Sequence, residues 1–258
     1  MEGGATPSPA GMSPVARLRG IFVTGTGTGV GKSVVSAAIC AALADRGEKV
    51  AAFKPVITGL DERGGDWPLD DELLAQHANA GQSREEVSPH RFGPPVSPHL
   101  AAEMADEQIE PLQLAREARE WAEKADALVC EGIGGLMVPL AGGFVVRDLA
   151  VELDLPLVIA AKTGLGTINH TLLTIEAARA AGLNVTGVVL TPWPSEPSDI
   201  EENNRETISR LGEVSVCVLP ETSPGDVGKA GAELPVDEWL EVAENTPPDI
   251  ADTDDEEH

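Results

Sequence analysis

The sequence predicts an α/β fold in which a doubly wound, mostly parallel sheet is covered by helices on both faces. Three observations predict it. Short apolar runs alternate with longer helix-compatible runs along the chain. The apolar runs are nearly continuous, as in strands that are buried on both faces. The first of them leads through a glycine-rich turn into a helix-compatible run, an order typical of α/β proteins.

Six strands and six helices are predicted. The strands are expected at 20–24, 49–53, 126–131, 156–161, 185–190 and 214–219. The helices are expected at 33–46, 70–79, 111–124, 147–153, 168–181 and 200–211. Segments rich in Gly, Pro, Asp and Ser are predicted as loops at 59–69, 81–99, 192–199 and 221–235. These loops are expected near the carboxyl ends of the strands, where ligands bind in open α/β sheets.

The chain is expected to form one α/β domain at 18–245, between a disordered leader at 1–17 and an acidic disordered tail at 246–258. The leader lacks the apolar core of a secretory signal, and no apolar run is long enough to span a membrane. The three cysteines, Cys40, Cys130 and Cys217, lie far apart in apolar segments. This spacing favours buried thiols in a reducing compartment over disulfides or a zinc site, so a cytoplasmic location is expected.

The chain is strongly acidic. It has 43 acidic residues against 18 lysines and arginines, a formal net charge of −25. Such a surface repels the phosphates of nucleic acids and of anionic membranes. Neither is therefore expected as a partner.

Residues 23–33, VTGTGTGVGKS, predict a phosphate-binding loop between the first strand and the first helix. Glycines allow backbone N–H groups to surround phosphates, and a helix N-terminus favours anions. Lys32 is placed to reach the β- and γ-phosphates, and the Ser33 hydroxyl to bind Mg²⁺. Five residues separate Gly25 from Gly31, one more than in the common pattern. A glycine-rich turn that binds nothing is the alternative, but the order strand, turn, helix favours a P-loop NTPase type of fold.

Two further strand ends carry candidate functional groups. Lys54 follows the second strand, where its side chain is expected to face the ligand crevice; a solvated surface lysine is the alternative. Glu131 ends the third strand and is followed by a glycine-rich turn. A carboxylate at this place can hold Mg²⁺ beside the phosphate loop. The alternative is a strand terminator before a flexible turn.

Two helix starts are weaker candidates. The acidic residues at 70–72 open a helix, where the helix dipole favours them without any metal. Residues 163–170 lie between a strand and a helix and could bind an anion at the helix N-terminus. Capping of that helix by Thr167 or Asn169 is the alternative.

Together these motifs resemble the dethiobiotin synthetase family, ATP-dependent carboxylases of biotin synthesis. The resemblance runs from about Gly20 to about Glu221, and the longer phosphate-loop spacing is itself a mark of that family. The matching segments are TGTGTGVGKS (24–33), FKPVITG (53–59), FGPPVSPH (92–99), CEGIGGLMVPL (130–140), AKTGLGTINHTLLT (161–174) and NRETI (204–208).

The resemblance implies a reaction of 7,8-diaminononanoate with CO₂ (or bicarbonate) and ATP. One amine takes up CO₂ as a carbamate, the carbamate attacks the γ-phosphate, and the second amine closes the ureido ring and releases phosphate. Lys54 and Lys32 would be catalytic. Mg²⁺ would be held by Ser33, Asp71 and Glu131. The loop before Asp71 differs in length from the family's, so Asp66 or Asp70 could take its place.

The resemblance also implies binding residues and a homodimer. Those expected at the nucleotide are Gly29, Val30, Gly31, Lys32, Ser33, Val34, Asp71, Glu131, Gly132, Ile133, Gly134, Thr191, Pro192, Pro220 and Glu221. Those expected at the diamine are Thr28 and Thr58 and, from the neighbouring subunit, Leu165, Gly166, Thr167 and Asn169. Some family members carry Asn in place of Thr191. A threonine lacks the paired donor and acceptor of an amide, so weak discrimination between ATP and other nucleoside triphosphates is expected.

Three other function classes stay open. A related amidoligase of cobalamin synthesis would bring a nucleophilic cysteine, but none of the three cysteines lies in a turn suited to attack. A partitioning-type ATPase scaffold would carry a further lysine early in the phosphate loop, and residues 25–30 contain none. The third is a regulatory nucleotide-binding module without turnover. Phosphate release that depends on diaminononanoate and bicarbonate separates the first reading from all three.

Overall fold

The computed structural model describes residues 18–62 and 65–245, with side chains up to Glu241. The leader expected at 1–17 and the acidic tail expected at 246–258 lie outside the described residues. In the part of the chain that is described, no helix is both long and apolar enough to cross a bilayer.

The described residues contain ten strands and ten helices, numbered here along the chain. The strands are β1 Gly20–Gly25, β2 Val50–Phe53, β3 Val56–Ile57, β4 His90–Arg91, β5 Ala127–Glu131, β6 Pro139–Ala141, β7 Phe144–Val145, β8 Leu157–Ala161, β9 Val185–Trp193 and β10 Val216–Pro220. The helices are α1 Lys32–Ala44, α2 Asp70–His77, α3 Arg84–Val87, α4 Pro98–Met104, α5 Pro111–Glu123, α6 Val146–Leu153, α7 Thr167–Arg179, α8 Asp199–Gly212, α9 Val227–Gly231 and α10 Val236–Asn245.

Six strands form a central parallel sheet in the order β10-β9-β8-β1-β5-β2. All six predicted strands are present in it. Because β1 lies between β8 and β5, the loop that follows β1 emerges in the middle of the carboxyl edge. In open α/β sheets this is where ligands bind.

Helices cover both faces of the sheet, which confirms the predicted doubly wound fold. Side chains of a strand alternate between faces. Ile21 and Val23 belong to a buried cluster that includes residues of α1, α2 and α10, whereas Phe22 belongs to a second cluster that includes residues of α5, α6 and α7. All three side chains are fully buried. The strand therefore reads as a continuous apolar run because neither face meets water.

The C-terminal helices α9 and α10 cover the helix that follows the phosphate loop. A Cβ placed on Gly231 of α9 would lie 2.6 Å from the carbonyl oxygen of Ala38 in α1, so the two helices approach closely. In α10, Trp239 is 1% exposed and lies against Gly187 of β9. This packing fixes the outer side of α1.

The prediction that 81–99 and 221–235 are loops is wrong, because both contain regular structure. The first holds α3, β4 and the start of α4; the second holds a 3₁₀ turn, Pro224–Asp226, and α9. Two short ribbons also lie outside the main sheet, the parallel pair β3–β4 and the antiparallel pair β6–β7. The helix α4 begins in the order Ser97, Pro98, a common helix start that the proline-rich composition concealed.

Candidate active site

The phosphate loop joins β1 to α1 and leaves the first turn of α1 open. Gly31 precedes the helix with φ 93°, a left-handed conformation that favours glycine. A Cβ at this position would lie 2.6 Å from Cγ2 of Thr191, so the site also lacks room for a side chain. Among the described residues, no side chain caps α1 and none in its first turn is acidic. The helix N-terminus is therefore available to an anion.

Lys32 folds back over the loop. Its side chain is 6% exposed, and Nζ donates a hydrogen bond to the carbonyl oxygen of Gly27 at 2.8 Å. Burial, aided by the charge of Lys54 and opposed by Glu131 and Asp70, lowers the pKa of Lys32 to about 8. A buried ammonium with a lowered pKa is poorly stabilised by its surroundings, so phosphate oxygens brought to the loop would stabilise it.

Lys54 lies at the centre of an ion cluster with Ser33, Asp70 and Glu131. Its Nζ is 2.6 Å from Oε1 of Glu131, 2.5 Å from Oδ2 of Asp70 and 3.4 Å from Oγ of Ser33. Oγ of Ser33 also donates to Oε1 of Glu131 at 2.8 Å. Neighbouring strands β2 and β5 bring the lysine and the glutamate together. The cluster therefore joins the phosphate loop to the ends of β2 and β5 and to the start of α2.

Burial and charge act in opposite directions in this cluster. Lys54 is 3% exposed and Glu131 is fully buried. Burial alone would lower the pKa of Lys54, but the carboxylates of Asp70 and Glu131 outweigh it and raise the pKa above its ordinary value. For Asp70 burial alone would raise the pKa, but the adjacent Lys54 ammonium outweighs burial and holds the pKa of Asp70 below its usual range. The lysine is thus charged and held by two carboxylates.

The structure does not fit the expected metal role of Asp71. Its fully buried carboxylate forms ion pairs with Arg84, at 2.8 Å, and with Arg91. Consecutive residues of a helix point about 100° apart, so when Asp71 faces the arginines its neighbour Asp70 faces Lys54. The alternative acid, Asp70, is the one that reaches the cluster, and Asp66 does not line the cavity there.

A cavity of about 610 Å³ opens beside the loop and the cluster. Ten of the predicted site residues line it: Thr28, Gly29, Gly31, Lys32, Ser33, Val34, Lys54, Thr58, Ile133 and Gly134. Val30, Gly132 and Glu131 are buried next to it. The cavity lining therefore includes both lysines and the glycine-rich backbone of the phosphate loop.

The other lining residues of the cavity form a largely apolar wall, and sequence reasoning gave them no role. They are Ile57, Trp67, Pro68, Leu73, Pro95, Val96, Ser97, Pro98 and Val138. Four of them, 95–98, belong to the segment FGPPVSPH, which was matched to the family without a function. That match was the one signal that could have placed them at the site.

Three groups of predicted site residues lie outside this cavity. Thr191 is 3% exposed, and its methyl group packs against Gly31. Pro192 and the pair Pro220–Glu221 are exposed at the ends of β9 and β10. Residues 165–169 lie at the start of α7, where Leu165 is fully exposed. In one chain the cavity is lined without them.

Three oxygen-bearing side chains that could hold a divalent cation converge within the ion cluster. They are Oγ of Ser33 and the carboxylates of Asp70 and Glu131, hard ligands of the kind that Mg²⁺ prefers. Oε2 of Glu131 is buried and has no hydrogen-bond partner among the described residues. No group of three or more His, Cys, Asp or Glu residues is arranged for a metal in the ranges the structure describes. A divalent ion held by Ser33, Asp70 and Glu131 would therefore need phosphates or water as its remaining ligands.

Comparison with known proteins supports one family. A family model described as an AAA domain matches residues 19–224. The chain is 34% identical over 194 residues to the ATP-dependent dethiobiotin synthetase BioD of Bacillus subtilis strain 168, covering 75% of this chain and 83% of that protein. It is 35% identical over 229 residues to the protein of the same name from Haloferax mediterranei, covering 87% and 95%. The corresponding protein of Anaeromyxobacter dehalogenans is 38% identical over 194 residues, covering 75% and 86%.

Solved structures confirm the fold type at low sequence identity. The chain is similar to one in the MinC:MinD cell division complex of Aquifex aeolicus, with a TM-score of 0.52, 15% identity and coverage of 88% and 97%. It is also similar to a ParA family ATPase of Chlorobium tepidum, with a TM-score of 0.50, 13% identity and coverage of 88% and 94%. At identities this low, the similarity shows a P-loop NTPase fold and says nothing about activity.

Proposed function

This chain belongs to the AAA domain family and to the dethiobiotin synthetases, and on that premise we propose that its cavity is where ATP and a diamine meet. The chain is an ATP-dependent cyclo-ligase. One observation carries the placement: the phosphate loop, the Lys54 cluster and an apolar wall line the same cavity. The alternatives, a cobyrinate-type amidoligase and a partitioning ATPase, are not favoured.

The phosphate loop and Lys32 would hold the triphosphate. The uncapped start of α1 offers N–H groups, and the Lys32 ammonium would exchange its bond to Gly27 for phosphate oxygens. These groups would also stabilise the charge that spreads over the transferred phosphoryl group. The loop therefore serves both binding and phosphoryl transfer.

We propose that Ser33, Asp70 and Glu131 hold Mg²⁺, with Asp70 replacing Asp71 in this role. The support is the convergence of their oxygens and the unpartnered Oε2 of Glu131. When bound, the ion would neutralise phosphate charge during the transfer. Ser33 and Glu131 are already hydrogen-bonded to each other, so two of the three donors are pre-positioned.

The diamine would lie between the cluster and the apolar wall. Its hydrocarbon chain fits against Ile57, Val96 and Val138, and its reacting amines would then point toward Lys54. The amine nitrogen adds to CO₂ and loses a proton, which leaves an anionic carbamate. The ammonium of Lys54 would orient that carbamate for attack on the γ-phosphorus, which expels ADP. The second amine then attacks the carbamoyl carbon, and phosphate leaves.

A second copy of the chain would complete the site. The turn 165–169 does not line the cavity of its own chain. Leu165, just before α7, is 102% exposed, and Leu173, in the middle of α7, is 60% exposed. We propose that this turn binds the substrate carboxylate in the partner's cavity, through the N-terminus of α7. Cys40 and Cys130 are fully buried and form no disulfide, which supports a cytoplasmic location for the dimer.

Phosphate release tests the proposal. Release should require ATP, 7,8-diaminononanoate and bicarbonate together. Lys54→Ala should reduce it by about 100-fold or more, while binding of a non-hydrolysable ATP analogue weakens by no more than about threefold. Lys229→Ala is the matched control, because Lys229 pairs with Asp226 at the surface and should keep full activity. Release that is independent of the diamine would refute the proposed function.

A further inference from the structure

The ammonium of Lys54 lies where the oxygens of the proposed magnesium site converge. It contacts Oε1 of Glu131 at 2.6 Å and Oδ2 of Asp70 at 2.5 Å, and Oγ of Ser33 is 3.4 Å away. These are the three donors assigned above to Mg²⁺. In this structure the lysine is thus the cation that those oxygens hold.

Two cations cannot share these oxygens at low energy. Mg²⁺ requires ligand distances of about 2.0–2.1 Å, which would place it within a few ångströms of an ammonium that contacts the same atoms. Lys32, which is also buried, adds a third positive charge nearby. Asp70 and Glu131 supply only two negative charges. Repulsion between the cations is weakly screened here because Lys54 and Glu131 are shielded from water.

We propose that Lys54 holds the place of the metal and exchanges with it when nucleotide binds. The negative charges of a triphosphate offset the added positive charge, so that the divalent ion can bind to Ser33, Asp70 and Glu131. The displaced ammonium of Lys54 then turns into the cavity toward the carbamate. The inference rests on the proposed function in taking those three residues as metal ligands. It adds an order of events: Lys54 becomes available to the substrate only after the metal–nucleotide complex has entered.

Binding of free Mn²⁺ without nucleotide tests the exchange. Electron paramagnetic resonance counts the unbound ion, so the affinity of the protein can be titrated directly. Lys54→Met and Lys54→Gln should each bind one Mn²⁺ per chain at least about tenfold more tightly than the unchanged protein, because the competing charge is gone. Lys54→Arg keeps the charge and should show no gain. The glutamine variant retains hydrogen-bond donors, which supports folding if the methionine variant fails.

A matched control separates the cluster from the acidic surface. Lys229→Met makes the same change in net charge at a side chain that is 85% exposed, and it should leave Mn²⁺ affinity unchanged. Adding Asp70→Asn to Lys54→Gln should abolish the gain.

Two outcomes would overturn the exchange. One is a folded Lys54→Gln variant that binds Mn²⁺ no more tightly than the unchanged protein, and the other is a gain in affinity that survives Asp70→Asn. The proposed function fails separately, because loss of diamine-dependent phosphate release would leave the Mn²⁺ result standing.

Discussion

A methyl group at position 31 should destabilise the protein for two separable reasons. A Cβ there would lie 2.6 Å from Cγ2 of Thr191, whereas ordinary contacts lie at 3.4–4 Å. Overpacking of this kind costs about 1–3 kcal/mol. Gly31 also has φ 93°, and left-handed backbone costs a non-glycine residue about 1–2 kcal/mol. Gly31→Ala is therefore expected to lower the free energy of unfolding by about 2–5 kcal/mol.

A double-mutant cycle isolates the contact, because only one of the two causes involves Thr191. Thr191→Ser removes Cγ2 and keeps the hydroxyl, at a cost of about 1 kcal/mol for the buried methyl group. In the double variant the clash is relieved, so the two changes together should cost about 1–3 kcal/mol less than their sum. Urea unfolding followed by circular dichroism gives all four free energies. Additivity within about 0.5 kcal/mol would refute the reasoning.

Three further predictions concern charge and nucleotide choice. Because the pKa of Lys32 is lowered to about 8, chiefly by burial, binding of an ATP analogue at about pH 8.5 should take up protons, and the affinity should fall as the pH rises through this range. Calorimetry in buffers of different ionisation enthalpy measures the proton uptake. Binding without proton uptake would contradict the proposed contact between Lys32 and the phosphates. Asp71→Asn should lower the free energy of unfolding by about 2–4 kcal/mol, because two arginines lose their buried partner, but it should leave the Mg²⁺ dependence of activity unchanged. Asp70→Asn should instead raise the Mg²⁺ concentration that activity requires. The reverse pattern would restore Asp71 as the ligand. Since Thr191 is buried against the loop, kcat/KM for ATP, CTP and GTP should agree within about tenfold, and a strong preference for ATP would count against this.

The sheet could be predicted because its strands are buried on both faces and read as apolar runs. Gly20–Gly25 and Ala127–Glu131 fall within one residue of the predicted 20–24 and 126–131. The phosphate loop could be predicted from its order between a strand and a helix. Both signals are local, since each depends on residues that are neighbours in the chain.

The site's second acid could not be settled from the sequence, because its selection is not local. Asp70 and Asp71 are equally suited to open a helix. Which one faces Lys54 depends on how the helix is rotated, and that is fixed by Arg84 and Arg91, which lie 13 and 20 residues beyond Asp71. The apolar wall escaped prediction for a similar reason: its residues come from four separate segments that meet only in the fold.

The cover that α9 and α10 place over α1 bears on where the protein can be shortened. The AAA domain model matches only to residue 224, so a chain cut at that boundary would keep every proposed catalytic group. Such a fragment would also lose the contacts of Gly231 with Ala38 and of Trp239 with Gly187, and the outer side of α1 would be exposed to water. Expression of such a fragment should yield aggregated protein, and the smallest soluble version must extend past Trp239.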